Sequence, residues 1–283
     1  MENEVNINPI AHVLSDTVQS MMEDKSTGSP KGISTGIHQI DTMLGGLQGG
    51  NLYIIGARPG MGKSSLALQL ACNAAKDDNR VLFVSLEMTN KQLVTRLLSS
   101  QTGIKHTALR DCSISEMELG VINLAVDKLK DLPLYLVDQT ALTINDITIA
   151  VEYNKPDILF IDYLGLIQPA RNEDRRIEVD KISYALKSIA KYFNIPVVCL
   201  SQLRRGTIGS DDSKCPSLSD LRDSGAIEQA ADAVILIHRN RKDELHIAKN
   251  RHGETGVINA NWYGDNLRFY FDNKEKCEEI KNG

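Results

Sequence analysis

The chain has 283 residues, of which 42% are hydrophobic and 24% charged, and a formal net charge of −5. This length suits one large α/β domain with small additions, and the composition is that of a globular protein able to bury a sizeable core. The acidic balance excludes a surface coated with basic residues for nucleic acid. A path lined by a few local cations stays open, because phosphate contacts depend on local charge.

No apolar run approaches membrane-spanning length, and the first residues carry neither a basic n-region nor an apolar h-region. A cytoplasmic protein is therefore expected. The five cysteines, Cys72, Cys112, Cys199, Cys215 and Cys277, are scattered. None forms a C-x-x-C and no Cys/His spacing fits zinc, so they are expected to be reduced thiols, mostly packing residues.

Residues 1–32 are expected to be a separate unit. Ile10, Val13, Leu14, Thr17, Val18 and Met21 recur at helical spacing after Pro9, and Lys25 to Gly32 forms a flexible linker. The apolar stripe either folds back on its own domain or docks on a neighbouring copy. Over 33–50 a short helix with a glycine stop leads to the first core strand. From there strands at 51–56, 80–86, 134–138, 157–162, 196–201 and 232–238 alternate with helices at 64–76, 89–101, 115–130, 144–153 and 176–194. Alternation of this kind implies α/β architecture, a mostly parallel sheet with helices on both faces and ligands at the carboxyl ends of the strands. The segments 245–249 and 257–262 and a strand within 266–271 add an antiparallel hairpin edge. Residues 272–283 are a charged tail expected to be disordered.

The chemistry concentrates at the strand ends. The stretch Ala57-Arg58-Pro59-Gly60-Met61-Gly62-Lys63-Ser64-Ser65 lies between the apolar run Leu52–Ile55 and a helix-forming run, Leu66–Ala71. Strand, glycine turn and helix in that order are the context of a phosphate-binding loop. Gly60 and Gly62 let backbone N–H groups converge, Lys63 reaches the β- and γ-phosphates of ATP, and Ser64 ligates Mg²⁺. The strict pattern has glycine where this chain has Ala57, a departure of one methyl group. Asp162 ends an apolar strand and supplies the carboxylate that holds Mg²⁺.

Glu87 follows the next strand and is either a base that polarises the attacking water or a solvated charge. Gln202, at another strand tip, is either a γ-phosphate sensor or a turn glutamine. Two polar loops leave the same edge, one with Arg171, Arg175 and Arg176, the other with Arg204 and Arg205. Beyond them Arg222 and the backbone near Gly225 can take phosphate oxygens. These loops have no aromatic residue, so any nucleic acid there binds by its backbone and without sequence preference. Lys249 and Arg251, at the hairpin tip, are either edge charges or fingers for the nucleotide site of an adjacent subunit.

Taken together these residues make the family recognisable. The runs 57–64, Ser85–Met88, Ile161–Leu164, Leu200–Leu203, Asp220–Gln229 and Lys249–Gly253 resemble, in order, those of the ATPase domain of DnaB-type replicative DNA helicases, a ring-forming branch of the RecA-like P-loop fold. The likeness covers about 33–271, and Ala57 is itself a trait of that family. It implies an ATP- and Mg²⁺-dependent motor that translocates on single-stranded DNA. Glu87 would be the catalytic base and Gln202 the γ-phosphate sensor. Lys249 and Arg251 would be trans-acting fingers, and Arg222, Asp223 and Gly225 the DNA grip. Residues 10–22 would be the linker helix of a homo-hexameric ring.

Asp223 stands where Glu is more usual, and Ala230 where Asp is. Primase and a helicase loader are further implied partners, although the amino-terminal helical domain that binds primase in the family has no counterpart in these residues. A RecA-like recombination or repair ATPase, and a nucleotide-binding scaffold that unwinds nothing, stay open as alternatives.

Overall fold

The computed structural model describes residues 32–168, 175–203, 215–221 and 225–271, together with Pro9, Ile10, Leu14, Val18, Gln19 and Met22. The expected charged tail and most of the expected linker lie outside the described residues. Arg171, Arg204, Arg205, Arg222 and Asp223 lie outside them too, as do the side chains of Arg175 and Arg176.

The elements run in the order α1 (His38–Leu44), β1 (Leu52–Ala57), α2 (Lys63–Lys76), β2 (Val81–Ser85), α3 (Asn90–Thr102), α4 (His106–Arg110) and α5 (Glu116–Leu129). They continue with β3 (Leu134–Val137), α6 (Ile144–Asn154), β4 (Ile158–Asp162), α7 (Arg175–Phe193), β5 (Val197–Gln202), α8 (Gly225–Ala230) and β6 (Ala233–Arg239). The chain closes with β7 (Asp243–Asn250), β8 (Gly256–Tyr263) and β9 (Arg268–Tyr270). They form a nine-stranded sheet in the order β3-β2-β4-β5-β1-β6-β7-β8-β9. The strands from β3 to β6 are parallel, and β7, β8 and β9 extend the edge antiparallel.

The central strands are apolar on both faces because both faces are covered. Along β1, Tyr53 and Ile55 join the cluster beneath α2, while Leu52 and Ile54 join the cluster beneath α7. The same alternation of period two sends Phe83 and Phe160 to the first side, where their rings stack 5.9 Å apart, and Leu82 and Leu159 to the second. On α7, Ile182, Leu186 and Ile189 are buried and Phe193 is partly so, as the helical spacing predicts. Cys72 and Cys199 pack in the core, whereas Cys112 and Cys215 are exposed free thiols.

Helix starts follow local chemistry. Thr89, Ser115 and Thr143 each close a capping box, with Gln92, Glu118 and Asp146 respectively. The start of α2 differs: its cap is Gly62, and no side chain covers the first-turn N–H groups. The α2 helix lies over one face of the sheet, while α8, entered after β5, packs on the other. The chain therefore leaves β1 and β5, which are neighbours, toward opposite faces, and a crevice opens at their carboxyl ends. No helix among the described residues is long and apolar enough to cross a membrane.

Phe160 lies on β4, the strand that ends in Asp162, and is fully buried. Phe160→Ala is expected to lower unfolding free energy by about 3–5 kcal/mol in a denaturant titration. A loss below about 1 kcal/mol, the scale of an ordinary surface change, would contradict this packing.

Candidate nucleotide site

A cavity of about 520 Å³ opens at the end of β1. Its floor is the expected loop, with Ala57, Arg58, Pro59, Gly60, Gly62, Lys63, Ser64 and Ser65 all on its wall. Met61 is the exception in that stretch and packs against the core instead. Gly60 and Gly62 both adopt left-handed backbone, at φ 76° and 91°, where a Cβ is costly. At Gly62 the reason is also spatial: an added Cβ would lie 3.0 Å from the rings of Phe269 and Trp262.

The uncapped start of α2 points its unpaired N–H groups and positive dipole end into this cavity, which suits an anion. Lys63 donates to Asp162 Oδ1 at 3.0 Å and sits 4.4 Å from the centre of the Tyr163 ring. Asp162 is fully buried, so the loop and the end of β4 are joined by an ion pair below the cavity floor. Two buried oxygens there have no hydrogen-bond partner among the described residues, Asp162 Oδ2 and Ser65 Oγ. A buried acceptor left unpaired is costly, and a hydrated cation or a phosphate-bound ligand would satisfy it. The donor set therefore fits a nucleotide polyphosphate with a hard divalent cation on oxygen ligands.

Glu87 and Gln202 both line the same cavity, brought there by the ends of β2 and β5. Several lining residues were not singled out by the sequence. Arg96 and Gln92 sit four residues apart on α3 and so share a face, a spacing that is visible in the sequence. Burial pulls the Arg96 guanidinium below its ordinary range, and the carboxylates of Asp162 and Glu87 act against that shift. Trp262 and Leu267 reach the cavity from the terminal hairpin. Arg239 stacks over Trp262 at 4.7 Å and donates to the Gly60 carbonyl at 3.2 Å, tying the hairpin to the loop.

Lys249 and Arg251 are elsewhere. Lys249 pairs with Val234 and Asn250 with Ala233, at the start of β6, whereas Ala57 pairs with Ile237 near its end. At about 3.3 Å per residue Lys249 lies roughly 10 Å and Arg251 roughly 17 Å along the strands from Ala57, where this chain's own phosphate loop begins. Lys249 Nζ donates to the carbonyls of Glu228 and Ala231 (2.7 Å for the latter), and burial lowers its pKa from the ordinary lysine value. Arg251 donates to Asp232 Oδ1 at 3.1 Å and to the Gln229 carbonyl at 2.6 Å. Gly225 is exposed at the start of α8, directly after the undescribed residues 222–224.

A parallel α/β sheet with a glycine loop, a lysine–aspartate pair and an uncapped helix at one crevice defines a P-loop nucleotide-binding protein. Known proteins narrow the class. The model of the DnaB-like helicase C terminal domain matches residues 32–271. The replicative DNA helicase DnaB of Treponema pallidum is 38% identical over 247 residues, covering 84% of this chain and 56% of that protein. A probable plasmid replicative DNA helicase of Chlamydia muridarum is 41% identical over 230 residues, covering 78% of this chain and 51% of its own. Among solved structures, one ATPase domain superposes with a TM-score of 0.88 at 29% identity, covering 94% of this chain and all of that one. A DnaB-like replicative helicase, solved with its interactions with primase, gives 0.83 at 28% identity, over 94% of this chain and 68% of that one. The chain belongs to the DnaB-like helicase C-terminal domain family. It spans about half the length of the curated relatives it matches.

The two loop glycines make separable demands. Gly60→Ala meets no atom within 4 Å and is expected to cost only left-handed strain, about 1–2 kcal/mol. Gly62→Ala adds a wedge against Trp262 and Phe269 worth a further ~1–3 kcal/mol, so its melting midpoint should be the lower. Equal midpoints would contradict the packing described.

Proposed function

We propose that this chain is the motor of a ring-shaped, ATP-dependent replicative DNA helicase that moves along single-stranded DNA and parts the duplex. One observation carries the reading beyond family membership. The phosphate loop and the cations Lys249 and Arg251 lie at opposite ends of one sheet. A chain so built cannot bring its own fingers to its own phosphates, but a second copy can.

In each pocket Lys63 and the N–H groups opening α2 would hold the ATP phosphates. Ser64 and Asp162 would hold Mg²⁺, which when bound neutralises charge on the phosphate oxygens. Glu87 would orient the attacking water and take its proton. Gln202 would donate to the γ-phosphate, and it stands at the root of the loop that carries Arg204 and Arg205. Arg251 and Lys249 of the next copy would complete the charge stabilisation. Arg204, Arg205, Arg222, Asp223 and Gly225 would face DNA in the central channel and grip its backbone.

Apolar surfaces support assembly. Among the described residues α5 buries none of its own, and it exposes Met117, Leu119, Leu124 and Val126. Ile10, Leu14, Val18 and Met22, spaced at one helical turn, are exposed as well. Met117, Val121 and Leu124 share one face of α5, and the linker helix of one copy laid on that face of the next would cover both its own stripe and that one. Residues 1–32 then act as linker and 33–271 as motor. Primase and a helicase loader are the further partners this reading implies, and the cytoplasm is where such a motor works.

Lys63→Ala is expected to abolish both ATP hydrolysis and strand separation on a forked duplex. Unwinding by that variant would sink the reading. Arg251→Ala should lower the hydrolysis rate by ~10³–10⁵-fold, the range of an arginine finger, while nucleotide binding by the isolated chain persists.

A further inference from the structure

Asp232, between α8 and β6, is a buried carboxylate with an unusual set of partners. Only 3% of the residue is exposed. Its Oδ2 accepts from the Leu52 backbone N–H at 2.8 Å and from Lys187 Nζ at 2.5 Å. Its Oδ1 accepts from Arg251 Nη1 at 3.1 Å. The backbone repeats the link: Asp232 N–H donates to the Leu52 carbonyl, and Arg251 N–H donates to the Asp232 carbonyl, each at 2.8 Å. Leu52 opens the strand that ends in the phosphate loop.

Stability alone does not account for the contact with Arg251. Lys187, with a side chain 20% exposed, already neutralises the carboxylate. The Arg251 side chain is 47% exposed against 4% for Asp232, so water screens its charge more than that of Lys187. Direction is what the contact fixes. A guanidinium carries five N–H donors. Asp232 and the Gln229 carbonyl engage one each, on Nη1 and Nη2, and among the described residues no other acceptor is paired with the guanidinium, whose further donors suit an anion.

Gln229 also matters for where it sits. It belongs to the last turn of α8, a helix that begins at Gly225, itself the last residue of the proposed DNA grip. Lys249 caps the neighbouring carbonyls of Glu228 and Ala231. Both finger residues therefore hold the carboxyl end of the helix that leaves the DNA loop.

We propose that Asp232 is the positioning residue of Arg251, and that with the Gln229 carbonyl it ties the finger's direction to α8. The inference rests on the reading that Arg251 serves the pocket of the next copy. A shift of α8 on DNA contact re-aims the finger, which links grip and hydrolysis within one subunit. Asp232 touches no nucleotide itself.

The test uses full-length Asp232→Asn, which keeps the side-chain volume and loses the charge. A finger misplaced by about 1 Å costs up to ~10²-fold in rate. The kcat for ATP is therefore expected to fall about 10- to 100-fold, with KM within about threefold of the parent because ground-state binding is untouched. Stimulation by single-stranded DNA should be lost. Mixing separates positioning from folding. Lys63→Ala subunits are dead in their own pocket but offer an intact Asp232–Arg251 pair to the next one. Mixed with Asp232→Asn, they should restore hydrolysis above the sum of the separate activities.

Arg251→Ala mixed with Lys63→Ala is the control for the shared pocket. Recovery in both mixtures supports the proposal. Recovery in the control alone overturns it and leaves the shared pocket standing, as does parental kcat and DNA stimulation in Asp232→Asn. No recovery in the control removes the shared pocket and the proposal with it. Should Asp232→Asn not fold, Asp232→Glu, which moves the charge by one methylene, goes through the same mixing with the same outcomes.

Discussion

The ion pair between Lys63 and the fully buried Asp162 is the constraint around which the structure is arranged. A carboxylate taken wholly out of water needs a cation and hydrogen bonds, or it is protonated or expelled. Lys63 supplies one of these through Oδ1, and Oδ2 remains open. To place that pair, β4 ends at Asp162, level with Ile55 and two residues short of the end of β1, and the turn between β1 and α2 must be tight enough to aim the lysine inward. The left-handed glycines and the apolar strands below are the means. The same arrangement leaves the start of α2 uncapped, so the donor groups that folding left unpaired are those a polyphosphate takes up.

Function as proposed then follows from sheet geometry. Parallel strands put every loop of the pocket at one end. The antiparallel turn from β6 to β7 carries Lys249 and Arg251 back to the other. On the proposed reading that separation would let the hairpin reach a neighbour, and each subunit would be a half-site on two sides. Asp232 stands at the far end as Asp162 stands at the near one. Each is a buried carboxylate, and each is ion-paired to the cation beside it.

Much of this was legible in the sequence, for local reasons. Valine, isoleucine and leucine runs bounded by glycine or charge gave every parallel strand to within a residue or two, because a strand covered on both faces needs such a run. The phosphate loop was legible because its glycines, lysine and serine must be contiguous. The rule that ligands meet at strand ends points to Asp162, Glu87 and Gln202, of which Glu87 and Gln202 line the cavity and Asp162 pairs with Lys63 beside it. The order of the strands was not legible, since crossovers leave no mark on composition. The short helices α4 and α8 were missed because five or six residues carry too little periodicity to declare themselves. Trp262 and Phe269 were not tied to Gly62, and Asp232 was not tied to Leu52, because those contacts join residues about 180 to 200 positions apart. Arg96 had a signal, its shared face with Gln92, that residue type alone did not raise above a solvated charge.

The claim at the centre is that the pocket is complete only between two copies. The most direct measurement is ATP turnover per chain across a protein dilution series, with the mass of the species recorded by light scattering in the same samples. Turnover that rises and falls with the assembled fraction, and vanishes in the monomer, is the result this account predicts. A monomer that hydrolyses ATP at the full rate would contradict it.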